Sequence, residues 1–337
     1  MRYPSFMQFY PTLRCNQQCG FCFNQSIATP YRDMPGEDAY RLASILRKSG
    51  RCEIDILGGE PMLLPWISDF VNHVTESGSG VNISTNGSLP HVVDRLSKNS
   101  TGLLNIGFSL HGLPDAHHSL TASDNFSRAV TGIRKMIERD NDPIVKSTLT
   151  RANENEIRPL VKYLRDLGIK RYYLLYEDTI GRTDPSLCLS YPEFMRFCTA
   201  VQNDLKPFHI GVVTASGFYK YGGKACGRCD AGIEKIAIMP DGSVFPCNLF
   251  AGFEEFRLGN IFRDGFEKIW NSPILKPFRT SHKNACRRDD CSYSANCSGG
   301  CPAHSYFFHG SIGEADPRCA NSTLPFQPPY QDGGKRL

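Results

Sequence analysis

The chain of 337 residues is 40% hydrophobic and 21% charged, which supplies a sizeable core and exceeds one small domain. Its net charge of +4 has no basic stripe behind it: CRRDDC at 286–291 cancels its own charge, so nucleic acid is not favoured as a partner. The start, MRYPSFMQFYPTL, is no signal peptide, and no run of about 18 apolar residues exists to cross a membrane.

Through the first 215 residues, short β-rich runs alternate with amphipathic stretches. Strands are predicted at 6–10, 53–57, 81–84, 104–110, 144–149 and 171–175. In EDAYRLASILRKSG, Ala39, Leu42, Ala43, Ile45 and Leu46 share one helical face, with Gly50 as a stop. RAVTGIRKMIERD and EIRPLVKYLRDLG follow the same logic, the second ending at Gly168. Six such units predict an α/β fold with a parallel sheet curled into a partial, TIM-like (β/α)6 barrel. EFMRFCTAV predicts a further helix with Cys198 in the core. After GFYKYGGKACGRCD (217–230) glycines and cysteines become frequent, and helical pattern thins to a short piece around 262–271. The expected division is therefore 1–215, a cysteine-rich domain over 216–321, and an irregular tail over 322–337.

Fourteen cysteines without a signal peptide point to metal in a reducing, cytoplasmic setting rather than to disulfides. Cys15, Cys19 and Cys22 fall within eight residues just after the first strand. A tetrahedral zinc wants four ligands, so three leave one position over. GGEP (58–61), STNG (84–87) and SLHG (109–112) end the next three strands, where parallel α/β folds place ligands. Cys226-x2-Cys229 alone would equally suit a zinc knuckle.

The C-x3-C-x2-C motif followed by GGEP and a Ser-x-x-Gly strand end resembles the radical S-adenosylmethionine enzyme superfamily. The resemblance implies a [4Fe–4S] cluster on Cys15, Cys19 and Cys22, whose open iron is chelated by S-adenosylmethionine. Reductive cleavage of that cofactor then yields a 5′-deoxyadenosyl radical that abstracts hydrogen from substrate. It further implies Phe21 beside the adenine, and Gly58, Gly59 and Glu60 accepting hydrogen bonds from the methionine ammonium. The glycine pair suits that role because it lets backbone approach a ligand closely. Ser109 and Arg128 would meet ribose or carboxylate, and Leu175 and Tyr176 the adenine. His111 stands where relatives often carry Asp, while His117 and His118 read as solvated loop residues.

The second half resembles the SPASM extension of that superfamily, with MPDGSVFPC, LGNI and IWNS alongside eight cysteines. By order, one auxiliary [4Fe–4S] cluster would take Cys226, Cys229, Cys247 and Cys301. The other would take Cys286, Cys291, Cys297 and Cys319, making three clusters in all. Cys286-x4-Cys291 departs from the shorter spacing the family more often shows. Asn248 follows Cys247 where sulfatase-maturing members have Asp, which disfavours that activity. Of the remaining cysteines, Cys52 reads as structural, and Cys188, in the loop after strand six, is a candidate hydrogen-atom donor.

Only fourteen residues precede Cys15, which leaves no room for a leader-peptide-binding domain. Together with two closed clusters able to take an electron, this favours a small-molecule substrate. The expectation is oxidation of a secondary alcohol of a sugar or aminocyclitol in antibiotic biosynthesis. An external one-electron reductant such as flavodoxin or ferredoxin would serve the first cluster. The alternatives are epimerisation with a thiol donor, modification of a ribosomal peptide, and a non-enzymatic zinc-binding module.

Overall fold

The computed structural model describes residues 4–26, 31–48, 53–98, 102–180, 183–215, 217–218, 229–280, 291, 297–319, 330–331 and 335–336. Cys52, Gly50, Cys226 and Cys286 lie outside the described residues. All six predicted strands form: β1 (Phe6–Phe9), β2 (Glu53–Ile56), β3 (Val81–Thr85), β4 (Leu104–Ser109), β5 (Ile144–Leu149) and β6 (Arg171–Tyr176). They pair in that order, each parallel to the next. Helices α1 (Gly36–Lys48), α2 (Ile67–Glu76), α3 (Pro90–Lys98), α4 (Pro114–Thr121), α5 (Phe126–Ile137) and α6 (Glu154–Leu167) lie between them.

Alternation along the strands decides what each face does. Phe9, Ile56, Ile83, Ile106 and Leu174 are fully buried, as are Leu42, Phe70, Val93, Ile133 and Leu160 of the helices. Burying one such side chain contributes about 1.5–3 kcal/mol, so this layer carries the barrel. The opposite face holds Gln8, Asp55, Asn82, Ser84, Lys146 and Tyr173, all half-buried. A parallel sheet is ordinarily apolar on both faces. Its polar inner face here lines a chamber rather than a packed core. Gly168 ends α6 with φ 101°, its N–H on the carbonyls of Arg165 and Leu164, as the sequence predicts.

The sheet goes beyond the six expected strands. β7 (His209–Val213) follows α7 (Tyr191–Asp204) and pairs parallel with β6. On the other flank β8 (Lys235–Ile238) pairs parallel with β1, and β9 (Ser243–Phe245) and β10 (Gly259–Asn260) continue antiparallel. The cysteine-rich half is thus joined to the barrel strands by a shared sheet. Cys198 is fully buried in α7, as expected. In the tail expected to be irregular, Tyr330–Gln331 pairs antiparallel with Lys335–Arg336. No helix among the described residues is long and apolar enough to cross a membrane.

A second tie between the halves is ionic. Arg318, 1% exposed, grips Asp316 through Nε–Oδ1 at 3.0 Å and Nη2–Oδ2 at 2.8 Å. Its Nη1 donates to the carbonyl of Glu177 (2.7 Å) and to Asp178 Oδ1 (3.2 Å), both just beyond β6. The guanidinium also lies over the Tyr176 ring, 4.7 Å from its centroid. Removing one partner of a buried pair strands the other's charge. Arg318→Ala should therefore lower unfolding free energy by about 3–5 kcal/mol in denaturant titration of the cluster-free chain.

Candidate active site

The three-cysteine loop leaves the C-terminal end of β1, and its entry is fixed by backbone. Gly59 N–H donates to the Thr12 carbonyl (3.0 Å) and Glu60 N–H to that of Arg14 (2.9 Å). A Cβ on Gly58 would stand 2.3 Å from the Thr12 oxygen, and one on Gly59 2.1 Å from the Arg14 oxygen. Gly58 moreover has φ +127°. The glycines are therefore required by the approach of the cysteine loop itself. The Gly59 carbonyl accepts no hydrogen bond from the described residues, so that edge stays open to a cationic donor. Thr12 Oγ1 (2.5 Å) and Arg14 Nη2 (2.7 Å) both hold Asp33.

Glu60, 1% exposed, spends its carboxylate on the fold. It accepts from Met62 N (3.0 Å), Thr85 Oγ1 (2.9 Å) and Asn86 N (2.7 Å), joining the ends of β2 and β3. Burial pushes its pKa up to about 7 against these three donors. Asn86 in turn reaches the loop, with Nδ2 2.8 Å from Asn16 Oδ1 and 3.9 Å from Cys15 Sγ. Gln17 Nε2 donates to Asn125 Oδ1 (2.6 Å), and Asn125 Nδ2 to the Asn86 carbonyl (2.5 Å).

Cys15 is exposed, and Cys19 and Cys22 are half-buried. Burial, then the neighbouring Cys22 and Cys15, push the Cys19 thiol up to about 12. Three thiolates here would repel one another unless a cationic centre held them, and soft thiolates suit iron–sulfur clusters. Among the described residues no three His, Cys, Asp or Glu side chains close on a single ion. By donor type, the three cysteines fit an iron–sulfur cluster.

Phe21 meets His111 edge-on, ring centroids 4.6 Å apart. His111 is buried, and burial drops its pKa to about 3, so the ring stays neutral. Its Nδ1 accepts from Thr148 N (3.2 Å), which places the ring proton on Nε2. His117 is not the solvated loop residue expected. It lies in α4, fully buried and stacked under His111, with Nδ1 accepting from His111 N and Nε2 3.0 Å from Asn125 Oδ1. His118, in the same helix, is exposed.

Ser109 ends β4, half-buried and in register with Lys146. Arg128 is on the exposed face of α5. Leu175 shares the chamber face with Tyr173, whereas successive strand residues point oppositely and Tyr176 packs on the other side. There its ring meets Phe194 at 4.7 Å, and its hydroxyl donates to the Leu189 carbonyl at 2.9 Å. Cys188 lines a cleft of about 490 Å3 with Arg151, Glu193, Arg318 and Cys319. Burial, then Glu177, push its thiol pKa up, and Sγ is 3.3 Å from the Leu189 carbonyl.

Of the cysteines expected to hold auxiliary clusters, Cys229, Cys247 and Cys301 all act on the charge of Lys235. Burial would lower that lysine's pKa, but Cys247, Cys229, Cys301 and Asp230 together outweigh it and raise it. Asn248 Oδ1 is 3.2 Å from Cys247 Sγ. Cys291, Cys297 and Cys319 are half-buried, with Gly299 N–H directed at Cys297 Sγ (3.4 Å). Sequence reasoning passed over Glu177, which is 1% exposed with no partner for Oε2 among the described residues. Burial, then Asp178, push its pKa up to about 8. A charged pair right after a predicted strand was the available signal.

The sequence profile of the Radical SAM superfamily matches residues 9–181. The chain belongs to that superfamily. A second profile, the SPASM iron-sulfur cluster-binding domain, matches residues 229–298. S-adenosylmethionine and [4Fe–4S] clusters, auxiliary ones included, are therefore the cofactors of this radical SAM enzyme. It is 28% identical to the antilisterial bacteriocin subtilosin biosynthesis protein AlbA of Bacillus subtilis, over 88% of this chain and 67% of AlbA. It is 23% identical to the AdoMet-dependent heme synthase of Methanosarcina barkeri, over 94% and 96% of the two chains. Streptococcus suis SuiB, solved with S-adenosylmethionine, shares the fold at TM-score 0.79 and 21% identity, over 94% of this chain and 77% of SuiB.

Two outcomes test the site. Gly59→Ala should displace the cysteine loop, so reconstituted protein loses about four irons, one cubane cluster, as counted by iron analysis. Glu177 has a folded pKa raised above the ordinary 4.5, so its neutral form stabilises the fold fully below about pH 4.5. That contribution is lost as pH rises through about 8. Glu177→Gln stays neutral throughout. Its melting temperature should match the parent at the acid end and exceed it increasingly across that window.

Proposed function

We propose that this radical SAM enzyme modifies a ribosomally made peptide of the bacteriocin kind. The observation that carries this reading is the 28% identity with AlbA across 88% of the chain. A polar chamber wall of Gln8, Asp55, Asn82 and Lys146 suits a substrate dense in amides, each needing a partner once desolvated. The secondary-alcohol oxidation expected from the sequence has no counterpart among the relatives named above.

The cysteine assignment rests on the family motif together with the loop geometry. Cys15, Cys19 and Cys22 would hold the cluster that binds S-adenosylmethionine, with Phe21, the edge at 58–60, Ser109, Arg128 and Leu175 around the cofactor. Cys229, Cys247 and Cys301 would hold one auxiliary cluster with Cys226, and Cys291, Cys297 and Cys319 the other with Cys286. When bound, cofactor and cluster together supply a carbon-centred radical that takes a hydrogen atom from substrate. Loss of one further electron, to an auxiliary cluster, and one proton then completes a two-electron oxidation of the peptide. Cys188, its thiol kept protonated by burial and Glu177, faces a cleft instead of that chamber's inner strand face. It is held in reserve as a hydrogen donor for a redox-neutral outcome.

Reconstitution without oxygen should give about 12 irons per chain for three cubane clusters. Cys15→Ala should abolish 5′-deoxyadenosine formation yet retain about 8 irons. Incubated with peptides encoded beside its gene, the parent enzyme should yield a product lacking two hydrogens by mass. A ketone formed on an aminocyclitol, with every such peptide untouched, would overturn the peptide reading.

A further inference from the structure

The strand-end motif STNG (84–87) has no assigned part in the chemistry, yet one of its side chains is the polar group that bridges β3 to the cysteine loop. We propose that Asn86 donates a hydrogen bond to the sulfur of Cys15 in the loaded enzyme and so sets how readily that cluster is reduced. The inference rests on the reading of Cys15, Cys19 and Cys22 as cluster ligands.

Asn86 is 6% exposed and uses all of its hydrogen-bonding capacity. The side-chain nitrogen has two hydrogens and two acceptors, Asn16 Oδ1 at 2.8 Å and Cys15 Sγ at 3.9 Å. Its Oδ1 accepts from Ser88 N (2.9 Å). Its backbone N–H is on Glu60 Oε2 (2.7 Å), and its carbonyl accepts from Asn125 Nδ2 (2.5 Å). This fixes the amide's orientation. Flipped, its oxygen would face the oxygen of Asn16 and the sulfur of Cys15, and its nitrogen would face the Ser88 N–H. The donor aimed at the sulfur is therefore imposed by four other contacts.

Reduction adds negative charge to a cluster, and that charge is shared by its thiolate ligands. A fixed N–H dipole directed at one of those sulfurs stabilises the reduced form, and hydrogen bonds to sulfur are an established lever on cluster potential. Glu60 acts in the opposite sense, since a buried carboxylate near Cys15 disfavours added electrons. Asn86 stands between the two, bonded to both.

The test is a potentiometric titration of oxygen-free, reconstituted enzyme followed by electron paramagnetic resonance. The cluster in question is identified by its spectral change when S-adenosylmethionine is added. Asn86→Asp keeps the shape and the acceptor for Ser88 N but removes both donors; Asn86→Ala removes the amide. Both should lower the reduced-to-oxidised ratio at fixed applied potential by about tenfold, equal to 59 mV for a one-electron couple. Ser88→Ala, which frees Asn16 Nδ2 from its acceptor but spares the Asn86 amide, should leave the ratio unchanged. An unshifted potential in both Asn86 variants overturns the proposal, as does an equal shift in Ser88→Ala, which would mark a general loosening of the loop. Should neither Asn86 variant load this cluster, the parent enzyme labelled with nitrogen-15 at asparagine side chains decides. A hyperfine coupling from that nitrogen in the reduced cluster supports the bond, and its absence overturns it. A parent enzyme with iron but no cofactor-sensitive cluster would instead sink the cysteine assignment beneath the proposal.

Discussion

Residues 12–14 run so close to Gly58 and Gly59 that neither position has space for a Cβ. The chamber mouth takes its shape from that contact. The backbone pairing carries the cysteine loop across the end of β2, and Glu60, the next residue, passes the constraint to β3 through Thr85 and Asn86. Asn86 then returns to the loop at Asn16 and Cys15. The result is a closed circuit of strand end, loop and strand end. Its centre is a buried carboxyl with three donors, an arrangement that is stable only while each partner is present. Two glycines and an acid in succession are needed because bare backbone and a fixed anion meet in the same few ångströms.

The barrel was largely legible because period and burial agree there. Strands such as EIDI bury Ile54 and Ile56 on one side, and helices such as α6 bury Ile157, Leu160, Val161 and Leu164 as one stripe. β7 was not read because HIGVV buries only Ile210 and stands at the sheet's edge. β9 and β10, three and two residues long, carry too few side chains for any period to show. His117 was misplaced because PDAHHSLT has no apolar stripe, although Pro114 at the first turn was a valid helix-start signal. What hides it is a polar pairing, His117 with Asn125, that only the tertiary fold brings together.

The site divides along the same line. The cysteines stood out by spacing, and Phe21 by the family resemblance. Those that hold the ligand-bearing loop did not, since Asn86, Asn125 and Gln17 are ordinary loop residues until their partners are known. Glu60 was singled out for its position after β2, and its side chain serves the fold. Tyr176 shows why strand parity matters. One residue beyond Leu175, it belongs to the helix-packed side and forms part of the aromatic seat for Arg318.

The two cysteine regions differ in the charge beside them, and the difference has a direction. The first loop is bordered by the amides of Asn86 and Gln17 and by the Glu60 carboxyl. Near Cys229, Cys247 and Cys301 the buried charge is instead the ammonium of Lys235, which these cysteines and Asp230 together favour despite its burial. A buried cation beside a cluster favours the reduced state, and a buried anion opposes it. Arg318 extends the same logic to the far end, holding Asp316 whose Oδ2 accepts from Cys301 N at 2.9 Å. The ionic tie that joins the halves of the chain therefore also fixes the backbone at Cys301.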